Sequence, residues 1–213
     1  MYLSRLILNP RSRQVQAELA RPYELHRTLM RGFPDGVKRE GANLLHRLEI
    51  HPRTGALTLL AQSTLKPDWA YLQNGKNYLL DPPQSKPINL HLPAGRTLRF
   101  RLVANPTVKK KRDDKKHSNR VPLVREEKQT EWLKEKKGQQ HGFHVLSLRI
   151  SQMQKHTFWK SKQKDKRPPL SLYTVQFDGL LEITDAEKFA QALQTGIGPA
   201  KAFGCGLLSL APA

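Results

Sequence analysis

Residues 2–32 read YLSRLILNPRSRQVQAELARPYELHRTLMRG. The opening apolar run, residues 2–8, is a strand that Asn9-Pro10 ends. Ser12 is a fitting N-cap for a short helix through Ala20. Pro22 then opens a second helix through Arg31, stopped by Gly32. Two strands follow, LLHRLEI at 44–50 and ALTLLAQS at 56–63, joined by a turn around Pro52 to Gly55. TLRFRLVA at 97–104 alternates, with Leu98, Phe100, Leu102 and Ala104 on one face and Arg99 and Arg101 on the other. Strand, helix, two strands, short helix, strand is the order of a ferredoxin-like domain. The sequence therefore predicts such a domain over residues 1–108.

Beyond it the composition breaks. Residues 109–120, KKKRDDKKHSNR, hold seven cations against two acids and read as a flexible linker or loop. A second domain is expected over 121–213. In it, residues 125–137 are helical, charged nearly all round and anchored by Trp132 and Leu133. FHVLSLRI at 143–150 is a strand, and HTFWK (156–160) and LSLYTVQF (170–177) flank a second basic run. The Asp178-Gly179 pair is a strong hairpin-turn signal. TDAEKFAQALQT opens with a capping box, Thr184 to Glu187, and puts Ala186, Phe189, Ala190 and Leu193 on one helical face. This is a second ferredoxin-like half whose first strand has no clear candidate. The fold class is α+β, with two tandem ferredoxin-like domains.

Charge limits the partners. The 213 residues carry 37 Lys+Arg against 18 Asp+Glu, a formal net charge of +19. Such an excess points to nucleic-acid phosphate or an anionic membrane. No stretch approaches the roughly 18 apolar residues of a membrane span. The N-terminal run is too short for a secretory signal and lacks a small-residue cleavage site. The single cysteine, Cys205, excludes an internal disulfide framework and fits a reducing cytosol. Nucleic acid is the expected partner, a membrane is not, and the expected location is cytoplasmic.

Three constellations carry candidate chemistry. Gly196, Gly198, Gly204 and Gly206 crowd into 11 residues ahead of a final strand. Paired G-x-G units permit left-handed backbone and let an anion approach the N–H groups. Pro199 there can start a helical turn, with Lys201 adding charge, and Cys205 reads as a small packed residue. The run 155–167 carries Lys155, Lys160, Lys162, Lys164, Lys166 and Arg167 against one acid, Asp165. A basic ribbon of this kind holds nucleic acid mainly through phosphates. Third, Tyr23 and His26 are i and i+3 on the helix that Pro22 opens, followed by Arg27, so they share a face. RNA carries its own nucleophile, the ribose 2′-hydroxyl, so strand cleavage needs only proton transfers and charge stabilisation. Histidine, with an ordinary pKa of about 6.5, exchanges a proton near neutrality. On spacing alone such a pair is more often a hydrogen-bonded packing contact than a catalytic one. No HExxH, cysteine pair or carboxylate cluster suggests a metal, and no cofactor is expected.

From end to end the chain resembles the CasE family, the CRISPR repeat-processing endoribonucleases of type I-E (Cascade) systems within the RAMP superfamily. The resemblance rests on LSRLILNPRSRQVQAELARPYELHRTL, LKPDWAYL, LRFRLVANPTVKK, EKQTEWLKEK and GIGPAKAFGCGLLSLAP. It implies two ferredoxin-like domains and metal-independent cleavage of a repeat stem-loop at the 3′ base of its stem. The implied product ends in a 2′,3′-cyclic phosphate and stays bound as crRNA among the other Cascade subunits. His26 and Tyr23 take the places of the family's catalytic pair, and Gly196 to Gly206 those of its glycine-rich loop. The 155–167 segment corresponds to the basic hairpin that enters the RNA groove, with Lys160 near the scissile phosphate. The lysine-rich run 109–120 departs from the family pattern. The competing reading is a non-catalytic RNA-binding scaffold, which has no reason to keep Tyr23 beside His26. A basic ribosomal or membrane-surface protein would explain the charge alone.

Overall fold

The computed structural model describes residues 1–74, 77–89, 91–110, 119–158 and 170–213. They form two compact units. Of the described residues, the first comprises those of Met1–His91 and Lys201–Leu207, with Phe158 and Leu170. The second comprises Leu92–Thr157, Ser171–Ala200 and Leu208–Ala213.

In the first unit, β1 (Tyr2–Leu8) leads to α1 (Arg13–Leu19), α2 (Pro22–Met30) and a short α3 (Arg39–Ala42). β2 (Leu45–Ile50), β3 (Leu57–Ser63), a 3-10 turn at Ala70–Leu72 and β4 (Gln84–Pro87) complete it. The antiparallel sheet has the order β2-β3-β1-β4, with the first strand central as in a ferredoxin-like fold. Ser12 caps α1 by accepting from the Val15 N–H, and Pro22 starts α2 as expected. Gly32 serves packing: a Cβ there would lie 2.6 Å from the Trp69 ring. The helices bury Val15, Leu25 and Leu29 against Leu6, Leu8, Leu57 and Leu59 of the sheet.

The fourth strand is not where the sequence placed it. Thr97–Ala104 (β5) belongs to the second sheet, and the first is closed by the polar, exposed Gln84–Pro87. Ser85 Oγ lies 2.6 Å from Ser4 Oγ on β1, so the edge strand is held by its backbone ladder and one hydroxyl pair. The 1–108 boundary accordingly moves back to His91/Leu92.

β5 is the missing first strand of the second unit. After it come the hairpin β6 (Thr107–Lys110) and β7 (Asn119–Pro122), then α4 (Glu126–Glu131). A π-helical stretch, Trp132–Gly138, runs on into α5 (Gln139–His141). β8 (Phe143–Phe158), β9 (Leu170–Ile183), α6 (Ala186–Thr195) and β10 (Leu208–Pro212) follow. The order β10-β5-β9-β8 repeats the first sheet's topology. Residues 109–110 and 119–120 are hairpin strands inside this unit, so the basic run is not an interdomain linker; 111–118 lie outside the described residues. Trp132 and Leu133 are buried as expected.

Two local readings are corrected. Asp178-Gly179 is not a turn but mid-strand in β9, where Asp178 pairs with Arg101 Nε at 2.6 Å. Gly179 is needed because a Cβ would fall 2.0 Å from the Ser147 carbonyl oxygen. The cap of α6 is Asp185 rather than Thr184, its carboxylate accepting from the Lys188 N–H. The buried face is accordingly Phe189, Ala192 and Leu193, leaving Ala190 exposed.

Candidate active site

The helix bearing Tyr23 and His26 is braced from below. Glu18 on α1 is buried, and its Oε1 accepts from Thr28 Oγ1 at 2.7 Å and Gln14 Nε2 at 2.8 Å. Its Oε2 accepts from the Tyr78 hydroxyl at 2.5 Å. Burial and the Glu18 carboxylate push the Tyr78 phenol far above its ordinary range, so it remains a donor. Tyr71 donates to the Thr28 carbonyl at 2.5 Å, beneath Arg31, whose guanidinium carbon is 4.9 Å from the ring centroid. A carboxylate buried with three donors ties α1, α2 and Tyr78 together.

On α2, the Tyr23 and His26 ring centroids are 6.2 Å apart at 40°. The i, i+3 spacing does place both on one face. Phe203, in the 3-10 turn Lys201–Phe203, lies 6.1 Å from Tyr23. That turn packs on α2 and β2. His26 is itself buried, at 7% exposure, and His46 beneath it on β2 more so, at 1%. Their rings are nearly parallel, 19° apart with centroids at 5.9 Å. Burial and the neighbouring His26 depress the His46 imidazole to about 3, so it is neutral at physiological pH. Arg27, mostly exposed, makes an ion pair with Glu24 at 3.0 Å.

The glycine segment has the expected left-handed backbone, with φ of 78° at Gly196, 82° at Gly198, 83° at Gly204 and 93° at Gly206. At Gly198 there is a second constraint: a Cβ would lie 3.1 Å from the Trp132 ring. Gly196 and Gly198 belong to the second unit; Lys201, Gly204 and Gly206 belong to the first. Gly204 passes His46, where a Cβ would sit 3.8 Å from Nε2. The Leu207 carbonyl accepts from Arg47 Nη1 at 3.2 Å, which ties the end of this segment to β2. Cys205 is fully buried, and burial pushes its thiol up to about 12, so it is packing and not a nucleophile.

Lys155 is exposed on β8 in the second unit. Lys160, Lys162 and Lys164 lie outside the described residues. Among the described residues, no three His, Cys, Asp or Glu side chains gather as metal ligands, and no helix is long and apolar enough to cross a membrane. Sequence reasoning missed Glu18, His46, Tyr78 and Phe203. His46 alone left a signal, since alternation along LLHRLEI puts it in phase with Leu44 and Leu48.

A family described as "CRISPR associated protein" matches residues 1–212. The chain belongs to this family. It is 35% identical to the CRISPR-associated endoribonuclease Cse3 of Thermus thermophilus, with both chains covered in full. It is 32% identical to the Cascade subunit CasE of Escherichia coli, again over the whole of both. A solved structure of Cse3 bound to a 19-nucleotide RNA superposes with a TM-score of 0.86 at 35% identity, covering all of each chain. Family membership thus agrees with the tandem ferredoxin-like topology.

Proposed function

We propose that this chain is a CRISPR repeat endoribonuclease that cuts the 3′ base of a repeat stem-loop without a metal and keeps the product as a Cascade subunit in the cytoplasm. The observation that carries the reading is the Tyr23–His26 pair on one face of a carboxylate-braced helix, with Phe203 of the 201–203 turn against Tyr23. Similarity to an endoribonuclease and to a Cascade subunit over the full chain supports it.

In the reaction, the 2′-oxygen forms a bond to phosphorus and the bond from phosphorus to the 5′-oxygen breaks. His26 takes the 2′-hydroxyl proton or returns one to the leaving 5′-oxygen, and Tyr23 orients the nucleophile or assists the leaving group. The product strand ends in a 2′,3′-cyclic phosphate. Proton transfer of this kind contributes roughly 10²–10⁴ in rate. Arg27 and Lys201 supply charge beside the pair. The positive-φ backbone at Gly204 and Gly206 lets phosphate approach the first unit's part of the glycine segment, while the Gly196 and Gly204 N–H groups are bonded to the Ala192 and Lys201 carbonyls. Lys155 and the undescribed Lys160, Lys162 and Lys164 grip the stem. A-form RNA is read mostly by shape, so stem geometry sets specificity and charge sets affinity.

The test is cleavage of repeat hairpin RNA in EDTA. Wild type should cut, His26→Ala should slow about 10²–10⁴-fold while binding RNA as before, and a 2′-deoxy nucleotide at the cut should block the reaction. Full activity in His26→Ala rejects the assignment. A wild-type protein that binds the hairpin but never cuts it is a scaffold.

A further inference from the structure

The floor beneath His26 is another imidazole. On β2, His46 and Leu48 face the helices, opposite Ala61 and Leu59 of β3. Around them, the sheet presents Leu6, Leu8 and Leu57 to α1 and α2. At His46 this apolar surface holds a polar ring whose buried Nδ1 has no hydrogen-bond partner among the described residues. A leucine would fill the place without that penalty. The ring lies close to parallel beneath His26, and Gly204 passes it without a side chain, where a Cβ would be 3.8 Å from Nε2.

Resting on the assignment of His26 above, we propose that His46 is a positioning residue for RNA cleavage, a flat ring laid beneath His26 that fixes its orientation. The groups around the two rings suit this role. Tyr23 faces His26 from the same helix, and the 201–203 turn brings Phe203 and Lys201. Ala61 is the β3 partner. Arg47, next along β2, alternates to the opposite sheet face, where Glu49 and the Leu207 carbonyl hold it. Glu24 is engaged with Arg27, and Glu18 with Thr28, Gln14 and Tyr78. Two imidazoles in contact resist a second charge, and the more deeply buried one stays neutral. A side chain whose neighbour blocks rotation also spends more of its time in the productive geometry.

The experiment compares single-turnover cleavage of the repeat hairpin, RNA affinity and thermal unfolding for wild type, His46→Ala, His46→Gln and His46→Phe across roughly pH 5.5–9. Loss of the flat ring in His46→Ala and His46→Gln should slow cleavage about 10–100-fold while Kd stays within about twofold. Water admitted beside His26 favours its cation, so the histidine limb of the pH–rate profile should move to higher pH. His46→Phe restores a flat neutral face and should recover most of the rate. Should His46→Ala merely unfold, the glutamine variant carries the comparison. The proposal is overturned if rates track only the folded fraction or Kd, if the pH limb stays fixed, or if phenylalanine fails to rescue. His26→Ala, run alongside, separates the two claims. Full activity there removes the catalytic assignment, whereas an inactive His26→Ala with unaffected His46 variants removes only this one.

Discussion

Acid should open the first unit's β2–β3 ladder by way of one buried histidine. His46 has a folded-state pKa of about 3 against an ordinary 6.5, the shift arising from burial and then from His26. Because the folded value is depressed, the folded state refuses a proton that the unfolded chain accepts between these two values. The stability held above pH 6.5 is therefore lost as pH falls, at about 1.4 kcal/mol per pH unit, until the folded pKa is reached. Between about pH 7.5 and about pH 5 this amounts to roughly 2 kcal/mol, or about 30-fold in the opening equilibrium. Other groups titrate over the same range, so the informative quantity is a difference between two proteins. His46→Phe keeps a ring in the site and cannot take the proton. Native-state hydrogen exchange of the β2–β3 amides at both pH values, corrected for intrinsic rates, isolates this unit from the other. Wild type should lose about 2 kcal/mol more than the variant. Parallel losses in the two would refute a buried, neutral His46.

Three further outcomes follow from the geometry. Gly179→Ala puts a Cβ 2.0 Å from the Ser147 carbonyl oxygen; β8 must move, which costs about 1–3 kcal/mol or more and lowers the thermal midpoint by several degrees. Tyr78→Phe deletes one of the donors to the buried Glu18 carboxylate and should cost about 1–3 kcal/mol in a urea melt, where an unchanged midpoint would mean the brace is not formed. In a salt titration, log affinity for repeat RNA should fall by about 0.7–0.9 per phosphate contact per log unit of salt. Lys155→Ala should make that slope shallower by about one; an unaltered slope places Lys155 off the phosphates.

The first 32 residues were legible because their punctuation is local. Pro10, Ser12 and Pro22 each act on the backbone within a turn, so strand and helix limits followed from residue chemistry. Tyr23 and His26 share a face for the same reason: a three-residue spacing on a helix is a purely local fact. Sheet membership is not local. The alternation of Thr97–Ala104 states that one face is buried but not which sheet buries it, and the strand went to the wrong half. Gln84–Pro87 was invisible because an exposed polar edge strand has no apolar period at all. Asp178-Gly179 misled because glycine has two uses, and here it admits a neighbouring carbonyl at a distance that no side chain tolerates.

His46 shows where the site itself escapes the sequence. Twenty residues separate it from His26, and only the antiparallel pairing of β2 with β3 turns its side chain toward α2. Read as a string, LLHRLEI is a strand with one histidine, and histidine on a strand is unremarked. Read in the fold, the same histidine occupies a position where leucine would pack without an unpaired nitrogen, beneath the His26 ring. The helix sets Tyr23 beside His26 by local spacing, and the sheet sets His46 beneath His26 by topology. A helix face can therefore nominate a candidate pair from sequence alone, but the ring packed beneath that pair becomes visible only once strand register is known.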